Sequence, residues 1–300
     1  MATLYTQADS NIRKTWVLIT LMLVFIITLG WFFSYLLDSQ VILWIAVIFS
    51  ILINFASYWY SDKIILLITK AQPIEKSDYP ELYRIVENLS ITAGLSLPKI
   101  YILEEAQPNA FATGRNPDHA VIAVTRGLLE KLDRAELEGV IAHELSHIGN
   151  KDMLLSSMVV VLVGIVSLLS DYFLRISFWG GGRKRDSRDS GASILFLFGI
   201  IAAVLAPIAA TLIRLAISRK REFLADVSGA LLTRYPEGLA RALEKISADP
   251  NPLRVASNAT SHLYISAPFK GKESQSWLVN LFMTHPPVEA RVRALREMEI

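Results

Sequence analysis

Polar and apolar positions divide this chain into two kinds of texture. Four long apolar runs stand out, from Trp16 to Leu37, Val41 to Tyr60, Met153 to Phe178 and Ile194 to Ile217. Each is long enough to be read as a membrane-crossing helix, which needs about 20 mostly apolar residues. The intervening stretches have the mixed pattern of a folded soluble domain. From Ser77 to Ala93, Leu82, Ile85, Val86 and Leu89 recur on one helical face, which predicts an amphipathic helix. Lys99–Leu103 and Ala120–Val124 are rich in β-branched residues and read as strands. Between them, Asn109-Ala110-Phe111-Ala112 runs to Gly114 and reads as a turn. Arg126–Leu132 reads as a short helix. Asp133, with Glu136 three residues on, opens the next helix in a capping-box arrangement. Gly149-Asn150 ends it.

This pattern predicts a mainly α membrane protein. Its parts are an N-terminal region over 1–71 with a transmembrane hairpin (16–37 and 41–60), a first catalytic segment over 72–152, a second hairpin over 153–217 and a second catalytic segment over 218–300. The two catalytic segments together form one α+β domain with a small sheet. Residues 251–276, rich in Pro, Ser, Gly and Asn, read as a mobile loop.

Charge orients the first hairpin. Arg13 and Lys14 precede it and Lys63 and Lys70 follow it, while the Asp38-Ser39-Gln40 turn has no basic residue. Both ends therefore face the cytoplasm. The first run is too long for a signal-peptide core and lacks a small-x-small cleavage site, so it reads as an uncleaved anchor. The loop after Gly180 carries Arg183, Lys184, Arg185 and Arg188, which the positive-inside rule disfavours outside the cell. Two full spans remain the reading for 153–217.

Composition then narrows the chemistry. The 300 residues are 52% hydrophobic, with a net charge of only +2, so the chain carries no nucleic-acid footprint. Cysteine is absent and there are five histidines. Disulfides, thiolate metal sites and cysteine nucleophiles are excluded. Any transition metal must be held by imidazole and carboxylate.

His143-Glu144-Leu145-Ser146-His147 supplies such a site. Positions i and i+4 of a helix share a face, so both imidazoles reach one zinc ion. Glu144 is close enough to take a proton from water. A catalytic zinc needs a third protein ligand and an open position. His119, His262, His285 and several carboxylates are available. Glu222 is the choice made here, because Asp226 follows four residues later on the same helical face and can orient a ligand histidine. His119 and His262 read as surface or internally satisfied histidines.

Taken together, His143-Glu144-x-x-His147, Arg221-Glu222-Phe223-Leu224-Ala225-Asp226 and Thr284-His285-Pro286-Pro287 resemble the HtpX-type membrane zinc metalloproteases, relatives of the CAAX prenyl proteases and of the thermolysin-like enzymes. The likeness covers essentially the whole chain, with no departure in the motif residues. It implies a zincin-like fold and one Zn2+ per chain held by His143, His147 and Glu222. It implies Glu144 as the catalytic base, Asp226 behind a ligand histidine and His285 at the developing oxyanion. It also implies that Asn109-Ala110-Phe111 holds substrate backbone, and that Arg291, four residues after Pro287, supports the site. Expected partners are misfolded or unfolded polypeptides, membrane proteins above all, and the lipid bilayer; the sequence is silent on oligomeric state. The expected location is the bacterial inner membrane, with the catalytic domain in the cytoplasm and a task in stress response and protein quality control.

Three other functions compete. A scaffold with a structural zinc would need a closed, four-ligand site, and no fourth ligand stands out. A transporter would need charge within its spans, and the middles of the first three runs carry none. A processing protease for lipidated C-termini would need more spans to enclose a chamber.

Overall fold

The computed structural model describes residues 4–36, 38–179, 219–257, 259–266, 268 and 286–298. The fourth apolar run, the basic loop after Gly180 and His285 lie outside the described residues.

Two long helices, α1 (Leu4–Leu36) and α2 (Gln40–Ile68), form the first hairpin and pack along each other. Both outrun their apolar cores. α1 begins before Trp16, and α2 continues past Tyr60 because Ser61, Ile65 and Leu66 are buried against the folded domain. A third long helix, α6 (Asp152–Trp179), packs against both. Each of the three contains a stretch long and apolar enough to cross a membrane, at Asp9–Leu36, Gln40–Ile68 and Asp152–Asp171. α1 and α2 present Leu21, Ile45, Ile48, Leu52 and Phe55 outward, an arrangement that suits lipid rather than water.

The domain beneath them is built on a four-stranded mixed sheet. Its strands are β1 (Gln72–Pro73), β2 (Lys99–Leu103), β3 (Ala110–Thr113) and β4 (Val121–Thr125), in the order β1-β2-β4-β3. β2 and β4 run parallel, with Ile100 opposite Ile122, while β3 lies antiparallel on the outer edge of β4. Side chains alternate across the sheet, as strand geometry requires. Ile100, Ile102, Ala110, Ile122 and Val124 face α3 (Pro80–Ala93) and α5 (Arg134–Gly149). Leu103, Phe111 and Ala123 face the other way and pack with Ile65 of α2, Val160 of α6 and Tyr264. The sheet is thus clamped between the soluble helices and the feet of the membrane helices.

Ala110–Thr113 is a strand rather than a turn: all four residues are buried and paired with β4, and the turn falls at Gly114, whose φ is 139°. A four-residue strand is too short for its alternation to be seen in sequence. α3 starts at Pro80 instead of Ser77, because proline suits the first helical turn. The capping box is formed, with Asp133 accepting from Glu136 N–H and Glu136 from Asp133 N–H.

After α4 (Arg126–Lys131) come α5 and α6; α7 (Arg219–Thr233) and α8 (Pro236–Ala248) pack on α5, and α9 (Val288–Arg296) closes over α7 and α8. The described part of 251–276 is not free of the domain. Ser261–Leu263 form a 3-10 turn, and Tyr264, fully buried, stands edge-on to Phe111 with ring centres 5.4 Å apart.

Candidate metal centre

α5 presents His143, Glu144 and His147 from its last two turns, and all but His147 are nearly inaccessible. α7 crosses α5 closely here because of Gly229. A Cβ at that position would stand 3.0 Å from His143 N and 3.2 Å from Ala142 C. This approach brings Glu222 and Asp226 to the histidine pair.

The three expected ligands converge. His143 and His147 face each other with their Nε2 atoms 3.2 Å apart, and His147 Nε2 is 3.8 Å from Glu222 Oε1. One ligand atom from each of His143, His147 and Glu222 lies within 4.8 Å of the others. Behind them stand two carboxylates. His147 Nδ1 is 3.2 Å from Asp152 Oδ2. His143 Nδ1 is 3.0 Å from Asp226 Oδ1, near enough for charge pairing although its N–H is not aimed along a hydrogen bond.

This arrangement passes a chemical test for a cation. A carboxylate at each Nδ1 keeps the proton there. Each Nε2 is then a bare lone pair. Two lone pairs 3.2 Å apart, with a carboxylate beside them, repel one another unless a cation or a proton sits between them. Burial would lower the His147 pKa, but Asp152, Glu222 and Glu144 outweigh it and hold it at about 9. Burial pushes His143 down. It also raises Glu144, to about 7, with the Glu222 charge helping and His147 opposing. A carboxyl poised there can both accept and return a proton near neutrality.

Arg291, buried on α9, donates from Nε and Nη2 to the two Asp226 oxygens at 2.8 and 2.6 Å. Burial alone would raise Asp226, but Arg291 and His143 hold it below the usual carboxylate range. The third Arg291 nitrogen, Nη1, donates to Ile265 O at 3.0 Å and stands 3.8 Å from Glu222 Oε2.

Asn109, Ala110 and Phe111 lie beside the site, at the open edge of the sheet. That edge is in use. Ile265 N–H donates to Ala110 O at 3.1 Å, and the Asn109 amide donates to Ser266 O at 3.1 Å. The chain's own residues 264–266 therefore occupy the groups expected to hold a peptide. Below them the cavity over the metal triad holds about 30 Å³, lined in part by Glu144, Ser156 and His262. That is room for one water.

Sequence reading missed two members. Asp152 is recognisable only as an acidic residue opening an apolar run, and its partner His147 lies within α5. His262, read as a surface or internally satisfied histidine, does have a partner in Ser156 O at 3.2 Å from Nε2, yet it lines the cavity. His119 is remote, held by Asn116 and Arg115 on the surface. His285 lies outside the described residues.

A family model described as Peptidase family M48 matches residues 76–299. The chain is 46% identical over 302 residues to a protein named Protease HtpX homolog from Thermoanaerobacter pseudethanolicus, covering 99% of this chain and 98% of that one. A protein of the same name from Thermococcus sibiricus is 45% identical over 287 residues, covering 94% and 96%. Among solved structures, the crystal structure of S. mikatae Ste24p has the same fold at 20% identity, with a TM-score of 0.50, covering 97% of this chain and 67% of that chain. The extent of the family match, over a chain that already holds two histidines and a glutamate around one point, decides membership: this chain belongs to peptidase family M48 and is a metalloprotease.

Proposed function

We propose that this protein is a zinc-dependent endopeptidase that cleaves misfolded or damaged membrane proteins at the cytoplasmic face of a bacterial inner membrane. The convergence of His143, His147 and Glu222 on one point, with buried Glu144 beside them, carries the reading. In this reading the chain is anchored by four spans, the fourth being the apolar run at 194–217. The catalytic domain is assembled from 72–152 and 218–300, with the second hairpin between them.

His143, His147 and Glu222 would hold the ion, a donor set that zinc accepts. When bound, zinc supplies Lewis acidity that acidifies water and polarises a carbonyl. Every other task falls to side chains. Glu144 accepts a proton from the attacking water as the water oxygen bonds to the scissile carbonyl carbon. As the C–N bond breaks, Glu144 returns that proton to the departing amine. The Glu144 environment suits both steps, because burial favours the neutral acid while Arg291 and the Ala112 N–H favour the carboxylate. Asp226 and Asp152 fix the two imidazoles, and Arg291 fixes Asp226. His285, by its motif, would meet the developing negative charge on the carbonyl oxygen.

Substrate would add as a strand to the edge of β3, held by the Asn109 side chain and the Ala110 carbonyl with Phe111 beneath. Residues 264–266 hold those groups, so peptide entry requires that segment to leave. Backbone pairing tolerates varied side chains, which suits an enzyme that disposes of damaged proteins.

The test uses detergent-purified protein, wild type and Glu144→Gln, incubated with casein in the presence of zinc or of chelator. Cleavage only by zinc-loaded wild type supports the reading. Equal cleavage by Glu144→Gln overturns it.

A further inference from the structure

One buried polar cluster remains unaccounted for by peptide cleavage. Asn11 lies on α1, just before the apolar run begins, and is 1% exposed. Its amide nitrogen donates to Asp152 Oδ1 and, at 3.2 Å, to Asn150 O. Its carbonyl oxygen accepts from Arg221 Nη1 at 3.2 Å. Arg221, 5% exposed, also stands 3.5 Å from Asp152 Oδ1. The other Asp152 oxygen, Oδ2, faces His147 Nδ1. Four elements meet at this carboxylate: α1 and α6, which enter the membrane, and α5 and α7, which carry the expected metal ligands.

The chemistry of the cluster is directional. A buried carboxylate has about four acceptor positions to satisfy, and leaving them unpaired in low dielectric is costly. With Asn11 and Arg221 engaging Oδ1, the Oδ2 of Asp152 faces the imidazole. Arg221 also immediately precedes Glu222 on α7, so the same cation ties the third ligand's helix to α1. An asparagine in a lipid-facing stretch would be expensive, whereas here every polar atom of the Asn11 side chain has a partner inside the protein.

We infer that Asn11 and Arg221 are positioning residues for the metal centre: through Asp152 they set the orientation and basicity of His147, and so couple the seating of the first membrane helix to metal affinity. The inference rests on the zinc peptidase reading above and adds to it a route by which displacement of α1 loosens a ligand. Partners of ligand histidines typically contribute about 10–100-fold in metal affinity.

The experiment compares full-length wild type, Asn11→Leu and Thr15→Val in detergent micelles. Thr15 is the control: it is buried one turn along the same helix, but its hydroxyl donates to the backbone carbonyl of Asn11 at 2.9 Å, as within any helix, and not to the Asn11 side chain or to Asp152. Zinc affinity is measured by competition with a chromophoric chelator, the ligand field by the visible spectrum of the cobalt form, and turnover by kcat and KM on casein. Asn11→Leu is expected to weaken zinc binding about tenfold or more, alter the cobalt spectrum and lower kcat with little change in KM. Thr15→Val is expected to match wild type in all three. Unchanged affinity and spectrum in Asn11→Leu overturn the inference, as do equal losses in Thr15→Val, which would mean that any disturbance of α1 suffices. If Asn11→Leu fails to fold, Asn11→Ser, which keeps one donor, is expected to lie between wild type and the loss of a full partner; wild-type behaviour of Asn11→Ser and of Arg221→Gln together overturns the inference. A wild type that binds no zinc refutes the peptidase reading itself, a result distinct from any of these.

Discussion

Arg291 and Asp226 form a two-pronged buried pair, with Nε and Nη2 each on a carboxylate oxygen at 2.8 and 2.6 Å. The pair joins the last helix of the chain to the residue behind His143 and to the carbonyl of Ile265. Arg291, four residues after Pro287, thus neutralises the carboxylate that stands behind His143. Removing one partner of a buried pair costs about 3–5 kcal/mol, so Arg291→Ala should unfold well below wild type in a thermal melt of the detergent-solubilised protein. Arg291→Lys should recover only part, because an ammonium cannot span both oxygens. Full recovery by lysine would show that charge alone matters.

Replacing Glu144 by Gln keeps size and removes the proposed proton acceptor. We expect kcat to fall by about 10²–10⁴-fold while stoichiometric metal is retained, as read by elemental analysis of the purified variant.

Glu222→Ala removes a proposed ligand rather than its support. Metal affinity should fall by more than the roughly 10–100-fold expected for a partner behind a ligand, and the loss should exceed that of Asp226→Asn. Glu222→Ala protein that retains full zinc would require another third ligand, for which His262 is the nearest unassigned imidazole in the cavity.

At Gly229 a methyl group would press on the α5 backbone at His143. Overpacking against backbone typically costs about 1–3 kcal/mol, so Gly229→Ala should lower both the melting temperature and zinc affinity. A variant that loses stability alone would show that α7 can shift without carrying Glu222 away.

Asp133 caps α5 at the end away from His143 and His147. Its pKa is lowered by the Glu136 backbone N–H and by Arg241. A depressed carboxyl stabilises the fold above its unfolded value of about 3.9, and the contribution disappears as pH falls through the lower folded value. Asp133→Ala should therefore cost about 1 kcal/mol at neutral pH, and the gap from wild type should close under acid conditions. A constant difference across that range would assign the effect to something other than the cap.

Sequence by itself determined the parts whose signal is local. Apolar length marked α1, α2 and α6 as candidate spans. The i, i+4 spacing of His143 and His147 and that of Glu222 and Asp226 marked helical faces. The Asp133–Glu136 box marked the start of α5. Tertiary structure alone decided what depends on residues distant along the chain. That Ala110–Thr113 is a strand follows from β4 pairing beside it. That residues 264–266 fill the same edge follows from Ala110 and Asn109 having backbone partners more than 150 positions later. That Asp152 faces His147 with one oxygen and Asn11 and Arg221 with the other follows from four helices meeting at one carboxylate. Spacing within a helix is set by its own backbone geometry, whereas a buried charge can be satisfied by any element that reaches it, and no period along the chain records which one does.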